Sequence, residues 1–374
     1  MPPSVSVVTL RLVRVLRLVG VNLLGVLLAL AVAEGAARLA GVEARGTTRG
    51  DRGLWRYEAL RGWGMTPGAS GEDNRGGPDR GVVRVNAQGF RGADFSRSKG
   101  PGTRRIIILG DSFGFGVGVD EPHTLASRLS ELVNADSELT EGRHVDVLNL
   151  SVSGYSTDQE ILTFESDGAP IDPDLVILLM CDNDFDGNME SFLYGRYYKP
   201  RFLLDSGHVR LVDSPAPRAD RRRPVRTWLF DHSAMQAALA GWADRPRLRA
   251  LSRFLAPGES VRSSGSEEEL MIALLEKLDR EVTKVGAALV TFNTGHRGER
   301  TPLFQSIRPH LEAAGIAHLG LEAQLGDARR RRPELKWDFG DDTHWNVAAH
   351  ELAARVMHLH LRKLAREGKV RLAR

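Results

Sequence analysis

A Gly-Asp-Ser turn directly follows an apolar run in this sequence. Residues 105–110 read RIIILG, and Asp111 and Ser112 come next. A serine at the turn from a strand into a helix can act as an exposed nucleophile, with the backbone N–H groups of the helix N-terminus beside it. Because a serine alone is a weak nucleophile, this chemistry also requires a histidine, an orienting carboxylate and an oxyanion hole.

The segment 339–354 contains a histidine and two carboxylates close together. Asp341 and Asp342 lie three and two residues before His344, and Asn346 is placed to cap the helix that follows. A short acidic side chain at this distance can reach the imidazole locally and fix its tautomer. The sequence therefore supplies a general base and a carboxylate for the serine, with either aspartate as the orienting acid.

Three glycines at alternating positions follow the serine: Gly114, Gly116 and Gly118. A phosphate-binding loop requires Gly-x-x-x-x-Gly-Lys-Ser/Thr, and a dinucleotide-binding loop requires Gly-x-Gly-x-x-Gly. Neither pattern is present, because the glycines are spaced by two throughout and no lysine follows. We therefore predict no cofactor, and the spacing of the histidines predicts no metal site. We expect the glycines to let the backbone curl beside a bound acyl group.

From Val82 onward the sequence alternates between strand and helix patterns. The strand candidates are short, mostly apolar runs at 105–110, 144–151, 174–180, 287–293 and 316–321. Helical patterns lie at 125–132, 157–165 and 302–314, after a capping box at Ser266–Glu269, and from Asn346 to about Glu367. This alternation predicts an α/β fold with three layers, α/β/α, around a mainly parallel central sheet. Sites in such folds lie outside the carboxyl ends of the strands.

Two segments interrupt the alternation. Residues 41–81 are rich in Gly, Arg and Asp with little periodicity, which predicts a linker or an irregular surface layer. Residues 190–265 combine aromatics, prolines and arginines with a hairpin signal at Asp205–Gly207, and predict an insertion in a main domain that spans 82–374. Because the insertion follows the third strand, we expect a lid or a substrate-binding subdomain near the site. The sequence gives equal weight to a second interpretation, in which the insertion packs against the domain and does not contact substrate.

The first 40 residues predict export across a membrane. Leu18–Ala33 is a run of 16 residues in which only Asn22 is polar, and three arginines precede it. We favour an uncleaved transmembrane signal anchor, because the apolar character continues to residue 41; a signal peptide cleaved after Ala31–Ala33 is the alternative. In either case the arginines hold the N-terminus in the cytoplasm. The rest of the chain is then on the periplasmic side of a bacterial inner membrane.

Charge and cysteine content argue against other classes. The 51 basic and 48 acidic residues give a formal net charge of +3, and runs such as Arg221–Arg223 and Arg329–Arg332 are typical of solvated faces. Aromatic residues do not alternate with basic ones and zinc-finger spacing is missing, so nucleic acid is not a predicted partner. With Cys181 as its one cysteine, the chain has no intramolecular disulfide.

At these positions the chain resembles the SGNH, or GDSL, superfamily of serine esterases and acyltransferases. The turn at 110–113 matches the first block of the family, and Gly154 in NLSVSGYSTDQE matches the glycine of the second. CDND at 181–184 matches the third block, and Asp341–His344 matches the fifth. The resemblance covers about residues 82–365 outside the insertion and implies the flavodoxin-like SGNH fold.

The resemblance implies a role for each matched residue. Ser112 would be the nucleophile and His344 its general base. The backbone N–H groups of Ser112 and Gly154 and the side-chain amide of Asn183 would form the oxyanion hole. The chain departs from the family pattern at Cys181, where the family generally has glycine.

The orienting carboxylate has two candidates. The general family pattern, Asp-x-x-His, points to Asp341. The DTHW arrangement also resembles that of periplasmic SGNH-like proteins that acetylate exopolysaccharides, in which the acid lies two residues before the histidine. This second resemblance points to Asp342, which we favour slightly.

Together with export, the resemblance implies a membrane-anchored Ser-His-Asp enzyme that hydrolyses or transfers an ester-linked acyl group. Its predicted partners are an acylated glycan or lipid of the cell envelope, as substrate, and the inner membrane, through the N-terminal helix. Hydrolysis and transfer share one acyl-enzyme, so the sequence leaves both open. A non-catalytic envelope binding or assembly protein on the same scaffold is the alternative, but the sequence lacks no member of the triad, which favours the enzyme.

Overall fold

The computed structural model describes residues 7–42, 53–73, 81–194, 197–218, 265–295, 301–340 and 343–372, together with single positions between 221 and 239. The chain divides into two compact units. The smaller comprises Met1–Thr48 and Arg223–Glu259, and the larger comprises Arg49–Arg222 and Ser260–Arg374. Every residue that the sequence predicts to act in the site belongs to the larger unit.

The smaller unit contains helix α1, Val7–Leu39. Its segment Arg14–Leu39 has 26 residues with a mean hydropathy of 2.4, which is long and apolar enough to cross a membrane. A membrane anchor and a signal sequence both have these properties. The carboxylate of Glu34 accepts hydrogen bonds from Ser233 Oγ (2.7 Å) and from the backbone N–H of Met235 (3.0 Å), so this later segment is fastened to the helix.

The larger unit alternates short strands and helices. Within the described residues, its strands are β1 Trp55–Glu58, β2 Gly62–Met65, β3 Ser70–Asp73, β4 Gly81–Arg84, β5 Arg104–Gly110, β6 Val145–Asn149, β7 Leu175–Met180, β8 Phe192–Leu193, β9 Tyr197–Tyr198, β10 Arg201–Asp205, β11 His208–Val212, β12 Ala288–Asn293 and β13 Ala317–Gly320. Its helices there are α2 Ser112–Phe115, α3 Leu125–Ala135, α4 Ser137–Thr140, α5 Thr157–Thr163, α6 Asn183–Met189, α7 Glu267–Lys284, α8 Thr301–Ala313, α9 Glu322–Arg331 and α10 Val347–Arg366.

Five strands form one parallel sheet in the order β13-β12-β7-β5-β6. These are the five runs that the sequence predicts as strands, and the predicted α/β fold with a parallel central sheet is confirmed. β5 and β7 are buried on both faces, which explains why they read as continuous apolar runs. Within β5, Ile107 faces one helical layer and Ile108 faces the other.

Helices cover both faces of this sheet. On one face α3, α9 and α10 bury apolar side chains such as Leu129, Leu325 and Met357. On the opposite face α5, α7 and α8 do the same, for example through Ile161 and Leu274. The predicted three-layer α/β/α arrangement is therefore confirmed.

Two long helices begin at the residues predicted to cap them. Ser266 and Glu269 form the capping box of α7, each side chain accepting the backbone N–H of the other residue. Asn346 Oδ1 accepts two backbone N–H groups in the first turn of α10, at 3.1 and 3.2 Å. These caps satisfy N–H groups that have no partner inside the helix. The cap of α10 also fixes the backbone two residues after His344.

Short strands form in the described part of the segment 41–81, which the sequence predicts as a linker or an irregular surface layer. β1 pairs with β2, and β3 pairs with β4, in antiparallel register. Trp63 and Met65 of β2 are buried, and Trp63 Nε1 donates to the carbonyl oxygen of Ser153 at 3.2 Å. Four-residue strands rich in glycine carry too few apolar positions for a periodic pattern, which is why the sequence shows none. This segment therefore supports the loop that follows β6.

The beginning of the 190–265 segment packs into the larger unit. β10 and β11 form a hairpin whose turn lies where the sequence predicts one. Phe202 of β10 is buried, and Lys199 forms a fully buried ion pair with Asp158 of α5. Residues 240–264, where much of the predicted lid or subdomain falls, lie outside the described residues.

Candidate active site

Ser112 is the first residue of α2, and Asp111 alone separates it from the end of β5. Asp111 caps this short helix: its Oδ1 accepts the backbone N–H of Phe113 at 2.9 Å. The cap forces a sharp turn at the carboxyl edge of the sheet and holds the serine there. His344 Nε2 lies 2.7 Å from Ser112 Oγ. The structure thus brings together the two residues predicted as nucleophile and base, although 231 residues of chain separate them.

His344 is held from two sides. Its ring lies against Phe113, the residue after the serine, with 5.1 Å between ring centroids. The next residue, Trp345, is buried, packs edge-on to the same phenylalanine at 5.1 Å, and forms a β-bridge with Asp338. The imidazole is therefore positioned by aromatic packing and by the cap of α10. Its alignment with Ser112 Oγ suits proton transfer between the two atoms.

Asp341 and Asp342, the two candidates for the orienting carboxylate, lie outside the described residues. Both assignments therefore stay predictions. Asp111 is the carboxylate described next to the serine, with Oδ2 3.3 Å from Ser112 Oγ. It is fully buried, and that burial raises the pKa of its carboxyl group, although nearby His344 acts in the opposite direction.

Three neighbouring strands present the predicted oxyanion residues at one edge of the sheet. Ser112 follows β5, Gly154 follows β6 and Asn183 follows β7, and β5 lies between the other two. Hydrogen bonds join the first two loops: Asn149 Nδ2 donates to Gly114 O at 2.9 Å, and the N–H of residue 152 donates to the carbonyl oxygen of residue 110 at 3.0 Å. Among the described residues, the backbone N–H groups of Ser112 and Gly154 find no hydrogen-bond acceptor.

Asn183 begins α6, and its side chain is exposed. The turn before it is held by Asp184, whose Oδ2 accepts the backbone N–H of Cys181 at 2.9 Å. Cys181 stands where the resembled family has glycine, but it is not among the described non-glycine residues with positive φ. A cysteine therefore fits this backbone without strain, and burial raises the pKa of its thiol well above the usual value.

The glycine-rich stretch after Ser112 wraps around Arg91, a residue the sequence did not single out. The Arg91 guanidinium is buried and donates to the carbonyl oxygens of Phe115 (3.2 Å), Gly116 and Val119, and it pairs with Glu121 at 2.9 Å. Gly116 has a φ of +83°, which glycine adopts without strain. The backbone curl after Ser112 thus has a buried arginine as its partner, and its position beside a bound acyl group stays a prediction.

Buried carboxyl groups lie beneath the site. Burial raises the pKa of Asp158, and raises those of Glu160 and Asp184 further because neighbouring carboxylates add repulsion. Within the described part of the chain, neither oxygen of Glu160 has a hydrogen-bond partner. These effects favour the neutral, protonated forms of Glu160 and Asp184. The same part of the chain contains no group of acids, histidines or cysteine arranged to hold a metal ion.

Comparison with known proteins gives structural neighbours only. No protein-family model and no curated protein matches the sequence. An acetylxylan esterase from Geobacillus stearothermophilus is similar over 69% of this chain and 94% of its own, with 12% identity and a TM-score of 0.39. An alpha/beta hydrolase enzyme from the metagenome of Lake Arreo, Spain, is similar over 70% and 95%, with 13% identity and a TM-score of 0.40.

A further neighbour, from Parabacteroides merdae, is described as a GDSL-like lipase. It is similar over 70% of this chain and 96% of its own, with 14% identity and a TM-score of 0.41. Similarity at this level describes the neighbours and assigns neither a family nor an activity to this chain.

Proposed function

We propose that this protein is a serine esterase or O-acyltransferase of the SGNH type, with Ser112 as nucleophile and His344 as general base. The observation that carries the proposal is the 2.7 Å distance between Ser112 Oγ and His344 Nε2 at the carboxyl edge of the sheet. Asp342, or alternatively Asp341, orients the imidazole. The order of these residues along the chain is that of the family the sequence resembles.

The geometry supports a two-step reaction. Ser112 Oγ attacks the acyl carbon while its proton passes to His344 Nε2, giving a tetrahedral intermediate with a negative oxygen. Collapse of this intermediate breaks the bond to the alcohol, which leaves with the proton from His344. Water in hydrolysis, or a sugar hydroxyl in transfer, then attacks the acyl-enzyme and gives its proton to His344. Collapse of this second intermediate breaks the bond between the acyl carbon and Ser112 Oγ, which takes the proton back from His344, and releases the carboxylic acid or the acylated sugar.

The negative oxygen of the intermediate requires hydrogen-bond donors. The N–H groups of Ser112 and Gly154, which find no acceptor among the described residues, and the exposed amide of Asn183 are the donors we propose. Loss of one such donor typically reduces kcat by about 10²- to 10³-fold. The preceding Asp111 cap contributes indirectly, because it fixes the turn from which the Ser112 N–H projects.

We further propose an acylated glycan or glycolipid of the bacterial cell envelope as substrate. The support is α1, whose length and hydropathy suit a single-pass anchor, with arginines on its N-terminal side. These features favour a catalytic domain held on the periplasmic face of the inner membrane. A tethered enzyme there meets envelope polymers and lipids at high local concentration.

Product analysis tests the activity and separates hydrolysis from transfer. Full-length protein in detergent is incubated with O-acetylated sugars and with longer-chain acyl sugars, with and without an unacylated glycan acceptor. We expect either free carboxylic acid or acylated acceptor, and neither with Ser112→Ala. Release that persists in Ser112→Ala contradicts the proposal. Absence of any product with the wild-type protein favours the non-catalytic binding or assembly protein.

A further inference from the structure

Tyr194 lies directly over Gly154, beside the proposed oxyanion hole. Its Oη donates to the carbonyl oxygen of Gly154 at 3.1 Å. A Cβ added to Gly154 would lie only 2.9 Å from Cε2 of the tyrosine ring. The ring can approach the backbone this closely because Gly154 has no side chain. A residue from the 190–265 segment thus borders the loop that carries a proposed oxyanion donor.

The ring of Tyr194 is held in position by its neighbours. Tyr194 follows β8 at the turn of the β8–β9 hairpin, in which Leu193 pairs with Tyr197. Trp63 meets the Tyr194 ring nearly edge-on, with centroids 6.2 Å apart, and lies 4.9 Å from the ring of Tyr197. The φ of Tyr194 is +53°, which a bulky residue adopts only where its surroundings impose it. The ring is therefore placed before any ligand arrives.

Tyr194 is also accessible: 48% of its surface is exposed, whereas Trp63 and Tyr155 beneath it are buried. We propose that the Tyr194 ring is an aromatic platform that binds the sugar ring of an acylated pyranoside, the alcohol part of the substrate. This inference rests on the proposed esterase or acyltransferase activity and names a binding residue and a substrate class for it.

An open platform suits a sugar better than a hydrocarbon chain. A pyranose presents C–H groups on its face and hydroxyl groups around its edge, so the face can pack on an aromatic ring while the hydroxyls remain hydrated. A long acyl chain gains its binding free energy by leaving water on all sides, which requires an enclosed channel. A ring with half of its surface exposed, held against a backbone carbonyl, favours the sugar.

The ring and the hydroxyl of Tyr194 have separable tasks. The ring supplies the packing surface. The hydrogen bond from the hydroxyl to Gly154 O fixes the peptide that follows the Gly154 N–H, the proposed oxyanion donor. Tyr194→Phe removes only the hydrogen bond, whereas Tyr194→Ala removes the hydrogen bond and the aromatic ring. Tyr57 provides a matched control, because it is 39% exposed and its Oη also donates to a backbone carbonyl, that of Ala216, at 2.6 Å.

Steady-state kinetics on two acetyl esters separate these tasks: a mono-O-acetyl methyl pyranoside, and ethyl acetate, which has no sugar. For Tyr194→Ala we expect KM for the sugar ester to rise about fivefold to tenfold, the size of one aromatic contact, with KM for ethyl acetate changed less than about twofold. For Tyr194→Phe we expect unchanged KM values and a kcat that falls several-fold on both esters. Tyr57→Ala changes neither constant.

A binding measurement keeps the inference testable if turnover of the sugar ester is too slow to measure. In saturation-transfer NMR with the Ser112→Ala protein, we expect the ring protons of the acetyl pyranoside to receive saturation. The signal falls several-fold in Ser112→Ala/Tyr194→Ala and is unchanged in Ser112→Ala/Tyr57→Ala. Equal KM changes on both esters, or sugar binding that Tyr194→Ala leaves unchanged, overturns the platform. If the wild-type protein shows no Ser112-dependent activity on either ester and transfers no acyl group to a glycan acceptor, the proposed function is overturned instead.

Discussion

Arg91 offers a quantitative test of how the nucleophile loop is held. Its guanidinium is buried and donates to three carbonyl oxygens of the stretch that follows Ser112, besides its pair with Glu121. Arg91→Met removes these donors and leaves buried acceptors unpaired. An orphaned buried acceptor costs about 1–3 kcal/mol, and two orphaned carbonyls alone give about 2–6 kcal/mol. We therefore expect the free energy of unfolding to fall by about 2–6 kcal/mol.

The same substitution loosens the backbone that closes α2, where the serine lies. Since a displacement of about 1 Å at a reacting group can cost roughly 10²-fold in rate, we expect kcat/KM for ester hydrolysis to fall by about 10- to 10²-fold. Denaturation in guanidinium chloride, followed by tryptophan fluorescence, measures the stability, and a pH-stat assay of ester hydrolysis measures the activity. Arg91→Lys, with one compact ammonium group, should lie between Arg91→Met and wild type. Arg84→Met, a change at an exposed arginine of β4, is the control. If Arg91→Met is as stable and as active as this control, the explanation is refuted.

Three other predictions concern substitutions in and near the site. The carboxylate that orients His344, for which we favour Asp342 over Asp341, should lose about 10⁴-fold in kcat on change to asparagine; equal small losses in both variants contradict both assignments. Gly154→Ala places a side chain at a φ of +83° and against the Tyr194 ring, so the variant should lose both stability and kcat. Gly142→Ala is the control: its φ is +73° and open space surrounds it, so it should lose only stability, by about 1–2 kcal/mol. Equal effects of both variants on kcat contradict this explanation. Burial raises the pKa of Glu160 well above 4.5, so the native state keeps a proton that the unfolded chain releases, and wild-type stability falls as pH rises above that value. Glu160→Gln lacks this dependence, and its denaturation midpoint should rise relative to wild type as the pH is raised above 4.5; a constant difference contradicts the protonated state.

Features set by local sequence were predictable. The strands β5 and β7 are continuous apolar runs because both faces are covered, and this pattern is visible in the sequence. The caps at Ser266 and Asn346 depend on side chains within three residues, so they too could be read directly. The pairing of Ser112 with His344 spans the domain, and only the order of the motifs pointed to it.

Features set by tertiary contacts were not predictable. Arg91 reads as an ordinary surface arginine, since its buried carbonyl partners belong to a loop 24 or more residues later. Trp63 lies in a glycine-rich stretch that resembles a linker, and its burial depends on Tyr155 and Ser153. Glu160 occupies an apparently polar position of a helix, but that helix is buried on all sides. In each case a distant segment determines the environment of the side chain.

The pairing of Ser112 with His344 as nucleophile and base is the central claim. Labelling with a fluorophosphonate tests it most directly, because this reagent requires an activated serine. We predict one covalent adduct per chain, located at Ser112 by peptide mass spectrometry, and no adduct in Ser112→Ala or His344→Ala. A wild-type protein that stays unlabelled under native conditions, or a His344→Ala variant that labels at the wild-type rate, would contradict the claim.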